Sequence, residues 1–294
     1  MTDSAGPVLS VIVPVYRDST RLALLLAALR AQEAVPWIAF ELIIVDNDPN
    51  GPDPVPELPS LPFAATLLGC ERPSSYAARN AGAGIATGHF FVFTDADCRP
   101  APDWLAAIMQ AVAKTPDSIL AGEVRLDPGP APNRWAIFDT VRGIPQAAFV
   151  RRGYGATANL TVARNVFEQL GRFADGRLSG GDAEFCRRAG AQGISITFLP
   201  DAVVHHPARD TRLALVTKAR RIKGGQVATG PVARRILWSL RSLVPPLREM
   251  LGYLFSSYSL LWRLRACQVR LELWGVELAE LMRLLILRHP PEHR

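Results

Sequence analysis

Two aspartates one residue apart, Asp95 and Asp97, stand directly after the apolar run 90–93 (FFVF), in the stretch FFVFTDADCRP. A run apolar on both faces of a strand is expected in the middle of a sheet covered by helices on both sides. The acids then sit at its carboxyl end, the edge of an open α/β sheet where ligands bind. Once the strand bends into a turn, two carboxylates so spaced can converge on a hard divalent cation. Taken alone, the pair reads more readily as a solvated turn, with Asp capping a helix begun by Pro100, Pro102 and Trp104. Other polar groups in the chain shift that balance.

Two earlier strands end in polar residues. Residues 9–15 (LSVIVPV) lead into Tyr16, Arg17, Asp18 and Ser19, and residues 40–45 (FELIIV) lead into Asp46, Asn47 and Asp48. In a right-handed α/β arrangement both ends face one crevice. Leu22, Leu25, Leu26 and Leu29 recur at helical spacing after the first strand. The proline-rich segment 49–62 reads as a surface connection, and 65–70 as a third strand. Residues 74–87 form a helix capped by Ser74 or Ser75, with Gly88 expected at its C-cap. Its GAGIATG is no dinucleotide loop, because there the strand must precede the helix.

Beyond the acid pair the pattern predicts a helix over 104–113, a strand over 118–124, and a helix then a mobile loop within 133–153. An extended segment over 154–163, a short helix over 166–170 and a helix starting at Asp182 follow, the last placing a carboxylate at a helix N-terminus. Short strands over 194–198 and 202–204 end in His205 and His206.

A chain of 294 residues, 49% hydrophobic, buries a full core and is not disordered. Charge is divided unevenly: residues 207–294 hold 16 Lys or Arg against 6 acids, and residues 1–206 hold 17 against 21. That shift marks a boundary. Cys70, Cys98, Cys186 and Cys267 lie far apart with no CxxC, which argues against a zinc site or a disulfide framework. The start lacks a basic and then apolar leader, and no apolar run reaches about 18 residues, so cytoplasmic placement is expected.

The segments SVIVPVYRD, ELIIVDND, ARNAGAGIATGHFFVFTDADCRPAPDWL, GATANLTVARNVFEQLGRFAD, SGGDAEFCRRAGAQG and PDAVVHH occur in series over about residues 8–206. In that order the sequence resembles the family 2 inverting glycosyltransferases. The resemblance implies the GT-A fold, a Rossmann-like mixed α/β sheet flanked by helices. It also implies transfer of a sugar from a UDP-, GDP- or dTDP-linked donor to a hydroxyl acceptor, in polysaccharide or glycolipid assembly. The implied catalytic domain is 1–209, with a nucleotide-sugar half over 1–115 and an acceptor half over 116–209.

By the same resemblance Pro14, Val15 and Tyr16 flank the nucleotide, and Asp46 with Asn47 holds the base. Arg79 and Asn80 match an Arg-Asn pair near the diphosphate. Asp95, with Ala96 between the acids, contacts the ribose or the cation's water shell, and Asp97 coordinates a magnesium or manganese ion bridging the donor phosphates. Asp182 aligns with the base that deprotonates the acceptor; many relatives have Glu-Asp there, and this chain has Gly181 before it. His206 matches a histidine that completes the metal site.

Residues 210–294 lie outside the matched part and alternate apolar clusters with arginines, the composition of an in-plane membrane helix. Packing of those helices on protein, with arginine stems snorkelling, is the competing expectation. Peripheral contact with a membrane's inner face would suit a lipid-linked acceptor. The excess charge is interleaved with aliphatics, which argues against nucleic acid. Two rival functions are a sugar-nucleotide pyrophosphorylase, which would want a glycine-rich basic loop after the first strand, and a degenerate transferase serving as a membrane scaffold.

Overall fold

The structure, a computed structural model, describes residues 8–177, 179–227 and 231–286. Its first elements alternate as the hydrophobic periods require: β1 (Leu9–Val15), α1 (Ser19–Arg30), β2 (Phe40–Asp46), β3 (Ala64–Gly69), α2 (Ser75–Ile85) and β4 (Phe90–Thr94). The short β5 (Arg99–Pro100) and α3 (Trp104–Lys114) follow, then β6 (Ile119–Asp127), α4 (Arg134–Arg142), α5 (Gln146–Val150), β7 (Asn159–Ala163), α6 (Arg164–Gln169), α7 (Gly181–Ala191) and β8 (Ile196–Pro207). The chain continues as α8 (Arg212–Val227), α9 (Val232–Ser242), α10 (Leu247–Leu254) and α11 (Leu260–Leu285).

The eight strands form one mixed sheet in the order β3-β2-β1-β4-β7-β6-β8-β5. β1 pairs in parallel with both β2 and β4, whereas β4 meets β7, and β7 meets β6, antiparallel. Register sets Val15 beside Asp46, so the polar ends of β1 and β2 open at the same edge. Phe91, Val92 and Phe93 are fully buried, as a central strand requires. Phe91, Phe93, Phe167, Phe173 and Phe185 form a cluster of aromatic contacts on one face of this sheet.

Several expectations need correction. The two short strands after residue 194 are one 12-residue strand, β8, which runs through Pro200. The exposure of Pro200 and Asp201 on it explains why the pattern looked broken there. Pro100 belongs to β5 rather than to the start of the following helix. Residues 133–153 hold two helices and a turn. Gly88 is no helix C-cap: α2 ends at Ile85 and Ala86 takes the cap position. A Cβ on Gly88 would lie 2.8 Å from backbone atoms of Leu9 and Ser10, so glycine there serves close backbone approach.

Packing divides the chain into two compact units. The first contains residues 8–125, 144–176 and 181–206. The second gathers 126–143 with the described residues of 177–180 and 207–286, and within it α4 packs on α11. This grouping differs from a division in chain order at residue 209. The core of the second unit joins Phe138, Leu215, Val216, Tyr253, Ala266, Val269 and Leu273. Beside it Asp139, 1% exposed, faces Arg209 at 3.2 Å, Lys218 at 3.7 Å and Arg142 at 4.0 Å. These cations hold its carboxyl below the usual range against the effect of burial.

Candidate active site

The acid pair lies in the turn between β4 and β5. The Cys98 amide donates to the Asp95 carbonyl at 3.0 Å, closing the bend that brings the two side chains together. The Asp95 and Asp97 carboxylates and the Cys98 thiol all lie within 4.8 Å of one another. Cys98 is fully buried, and its burial, with the charges of Asp95 and Asp97, pushes the thiol pKa well up. It stays protonated and approaches the Ala158 carbonyl at 3.9 Å, so the hard oxygen donors are the two aspartates.

His206 reaches the same place from β8. Its Nε2 stands 3.6 Å from Asp97 Oδ1, and the ring is 4% exposed. Pairing of Arg99 with His205 between β5 and β8 fixes this approach and turns the neighbouring His206 to the acid. The two carboxylates are hard oxygen donors of the kind that can hold a divalent cation, and the His206 imidazole stands beside one of them. Arg21 on α1 also faces Asp97, at 4.0 Å.

Beneath the acid turn, a buried amide ties the scaffold together. Asn159 Oδ1 accepts the Trp104 indole N–H at 3.0 Å, while its Nδ2 donates to the carbonyls of Glu123 (2.9 Å) and Ala202 (2.8 Å). One side chain thereby joins β6, β7, β8 and α3. Thr94 adds a hydroxyl donated to the Ala158 carbonyl at 2.9 Å. Buried polar groups so fully paired hold a single geometry.

Arg79 extends from α2 to the acids. Its guanidinium is 3% exposed and pairs with Asp95 Oδ1. Its Nε has no hydrogen-bond partner among the described residues. A buried cation with a donor unmet is poised to take a further anionic oxygen.

Asp182 is the second residue of α7, with Gly181 as the first. Burial raises its pKa, while the Ala183 amide, the Arg79 charge and the Thr157 amide pull in the other direction. The Ala183 amide donates to Oδ1 at 2.8 Å, and the Tyr76 hydroxyl stands 3.5 Å from the same oxygen. That hydroxyl accepts the Gly181 amide at 2.9 Å. A Cβ at Gly181 would lie 2.7 Å from the Tyr76 ring, so the ring occupies the volume that a larger residue 181 would need. Sequence reading missed Tyr76; the signal was its position three residues before Arg79, which puts both on one face of α2.

The remaining candidates separate. Val15 is buried at the end of β1, and Tyr16 is 36% exposed with the Arg17 guanidinium 5.0 Å over its ring. Pro14 pairs with Val45 in the sheet, and Ala96 is buried between the acids. Asp46 receives the Asp48 amide at 2.9 Å on one oxygen and the Val55 amide at 2.8 Å on the other, clasping the loop after β2. The Asn47 amide nitrogen donates to the Cys70 (2.9 Å) and Arg72 (2.7 Å) carbonyls, which fixes its orientation. Asn80 is directed elsewhere: its side chain bonds both backbone groups of Phe173, at 2.9 and 3.1 Å, and pins the loop after α6.

The family model for glycosyl transferase family 2 matches residues 10–173, more than half the chain, from the second residue of β1 through Arg79 and both acids. The chain belongs to this family. It is 31% identical over 230 residues to Glycosyltransferase AglE of Haloferax volcanii, covering 76% of this chain and 74% of that one. It is 30% identical over 215 residues to the succinoglycan biosynthesis protein ExoM of Rhizobium meliloti, covering 70% and 69%. Among solved structures, a mannosyltransferase of Pyrobaculum calidifontis, in complex with GDP-Man and Mn2+, superposes with a TM-score of 0.55 at 18% identity over 94% of this chain and 88% of that one. TarS of S. aureus superposes at 0.50 with 16% identity over 84% of this chain, which spans 47% of that structure's chain. A second TarS structure, of residues 1-349 with UDP-GlcNAc, gives 0.50 at 14% identity over 94% of this chain and 80% of that one. These likenesses identify the fold as GT-A. The family 2 glycosyltransferase therefore carries its acid turn at the carboxyl end of the central strand of that fold.

Proposed function

We propose that the protein transfers a sugar from a nucleoside-diphosphate donor to a hydroxyl acceptor with inversion, and that a divalent cation assists. The observation that carries this reading is the acid turn that brings Asp95 and Asp97 together, with His206 facing Asp97, Arg79 paired to Asp95 and Asp182 within the field of both. Asp97 and His206 are the proposed metal ligands. A bound Mn2+ or Mg2+ would neutralise the charge that develops on the departing diphosphate. Arg79, held by Asp95, presents its guanidinium to that diphosphate. Asp182 receives the acceptor proton; burial raises its basicity, and the Ala183 amide and Tyr76 hydroxyl orient it. A single displacement from the face opposite the leaving group inverts the anomeric carbon. Tyr16, exposed beside the ends of β1 and β2, would stack on the base, with Pro14, Val15, Asp46 and Asn47 as its proposed seat. Asn80 acts through the Phe173 loop.

The solved relatives with GDP-Man and with UDP-GlcNAc support a nucleotide-sugar donor, and the succinoglycan protein supports a place in polysaccharide or glycolipid assembly. Asp97→Asn tests the reading: donor turnover is lost while the thermal midpoint stays within a few degrees of wild type. Turnover by the variant at the wild-type rate would exclude Asp97 as a metal ligand.

A contact with a membrane surface is the second part of the proposal. No helix among the described residues is long and apolar enough to cross a membrane. Val232, Ile236, Leu237, Leu240, Leu243 and Val244, at helical spacing along α9 and just past it, are all more than half exposed. A surface helix ordinarily buries such a face. Arginines 234, 235 and 241 flank it, as in helices that lie in a lipid interface.

A further inference from the structure

The second unit contains a cleft of about 320 Å3 between α4, α8, α9, α10 and α11. That volume is at the lower end of the range for small-ligand sites, roughly 300–1,000 Å3. Its lining has two chemistries. Phe138, Leu215, Ile222, Leu273, Trp238 and Trp274 give an apolar wall, and Val244, Pro245 and Pro246 form a lip. Six cations, Arg142, Lys218, Lys223, Arg241, Arg248 and Arg270, face two acids, Glu249 and Glu277.

The cations differ in what they already hold. Arg270 bonds Glu249 at 2.7 Å and Glu277 at 3.2 Å, and Lys223 meets Glu277 at 3.3 Å, so these four make a neutral cluster along one side. Lys218 and Arg142 share the single charge of Asp139 with Arg209. Arg241 lies over the Trp238 ring at 5.3 Å, and neither it nor Arg248 makes an ion pair among the described residues. Burial and the neighbouring cations Arg142 and Arg209 push the Lys218 pKa well down, a cost that an entering anion would relieve. Positive charge thus exceeds negative inside low-dielectric walls, which focus the field on the cleft.

The cleft's lip is part of the exposed apolar face. Val244 lines the cleft and is 64% exposed; Leu240, Leu243, Leu247 and Leu251 on the same stretch are 53–60% exposed. A soluble phosphate would use the cations and leave the aliphatic face uncovered. A lipid with a phosphate headgroup uses both, its chains lying along the α9–α10 leucines.

We propose that this cleft binds the anionic phosphate headgroup of a membrane lipid, with Arg241 and Arg248 at the mouth, Lys218 and Arg142 deeper, and Trp238 and Trp274 against the first chain carbons. The proposal rests on the membrane-contact reading above and adds a headgroup-selective site to it; it is independent of the transfer chemistry.

Trp238 and Trp274 provide a readout on the full chain without donor, metal or acceptor. Tryptophan emission is titrated with dihexanoyl phosphatidic acid below its micelle concentration, with dihexanoyl phosphatidylcholine, and with inorganic phosphate. Phosphatidic acid is expected to give a saturable change at least tenfold tighter than the other two. Trp238→Phe should diminish the signal, and Arg241→Gln with Arg248→Gln should weaken binding at least tenfold at an unchanged thermal midpoint. Arg151→Gln with Arg152→Gln, exposed in the first unit, serves as the control that should not change it. Inorganic phosphate binding as tightly would make this a free-phosphate site and overturn the proposal. Equal response to the choline lipid, or no effect of the arginine pair, would overturn it too. Sedimentation with anionic vesicles without any saturable response to the soluble lipid would leave membrane contact standing and remove the headgroup site.

Discussion

Replacing Arg79 by Met removes two electrostatic effects of that guanidinium, which stability and pH dependence report separately. Methionine keeps an unbranched stem and the helix propensity of the side chain but removes the charge that pairs with Asp95 and lowers the pKa of Asp182. Removing one partner of a fully buried ion pair costs about 3–5 kcal/mol. The Asp95 side chain is 32% exposed, so water rehydrates the stranded carboxylate and a loss of about 1–3 kcal/mol is expected. At roughly 2–4 °C per kcal/mol for chains of nearly this size, the thermal midpoint falls by several degrees. The second effect has a definite sign. Asp182 must be ionised to accept a proton, so kcat/KM rises through its pKa on the acid side. Without Arg79 the burial of Asp182 and the charge of Asp95 act with less opposition, and this limb moves to higher pH. The assay is kcat/KM against pH at saturating metal, with melting followed in parallel. A variant that loses stability as expected while its acid limb stays in place would refute the electrostatic link from Arg79 to the base.

Other perturbations follow from the same geometry. A carboxyl whose folded pKa lies above its unfolded value binds its proton more tightly when folded, so stability falls as pH rises from the ordinary carboxylate range through the raised value. Asp182→Asn should therefore be inactive yet melt at or above wild type at neutral pH, with the gap closing in acid; a lower neutral midpoint contradicts this. Gly181→Ala drives a methyl to 2.7 Å from the Tyr76 ring and should cost about 1–3 kcal/mol in urea denaturation, less in combination with Tyr76→Leu. Gly88→Ala meets backbone of Leu9 and Ser10, which cannot yield as a side chain can, and should lower the urea midpoint by a similar or larger amount.

Much of this site was readable before folding because its residues sit where period changes. The apolar run of β4 stops at Thr94, β2 stops at Asp46, and Asp182 falls in the first turn of α7, so strand and helix ends alone bring these groups to one edge. What the sequence did not disclose depends on contacts remote in the chain. Tyr76 looked like helix body, and only the fold brings its hydroxyl to Gly181, 105 residues away. Asn159 is one polar residue in a strand until β6, β8 and α3 converge on it. Asn80 lay beside Arg79 in sequence but projects to the Phe173 loop, since adjacent helix positions face different ways. The grouping of α4 with the C-terminal helices left no local mark either, because its apolar residues fit any core.

The most direct measurement of the central claim is a thermal-shift titration of the full chain with UDP, GDP, dTDP and CMP, each with and without Mn2+, on wild type and Asp97→Asn. The account predicts that one nucleoside diphosphate raises the wild-type midpoint only with the cation present, and that Asp97→Asn loses the shift. Absence of any shift at millimolar nucleotide, or an equal shift without metal, would contradict a metal-assisted donor site at the acid turn.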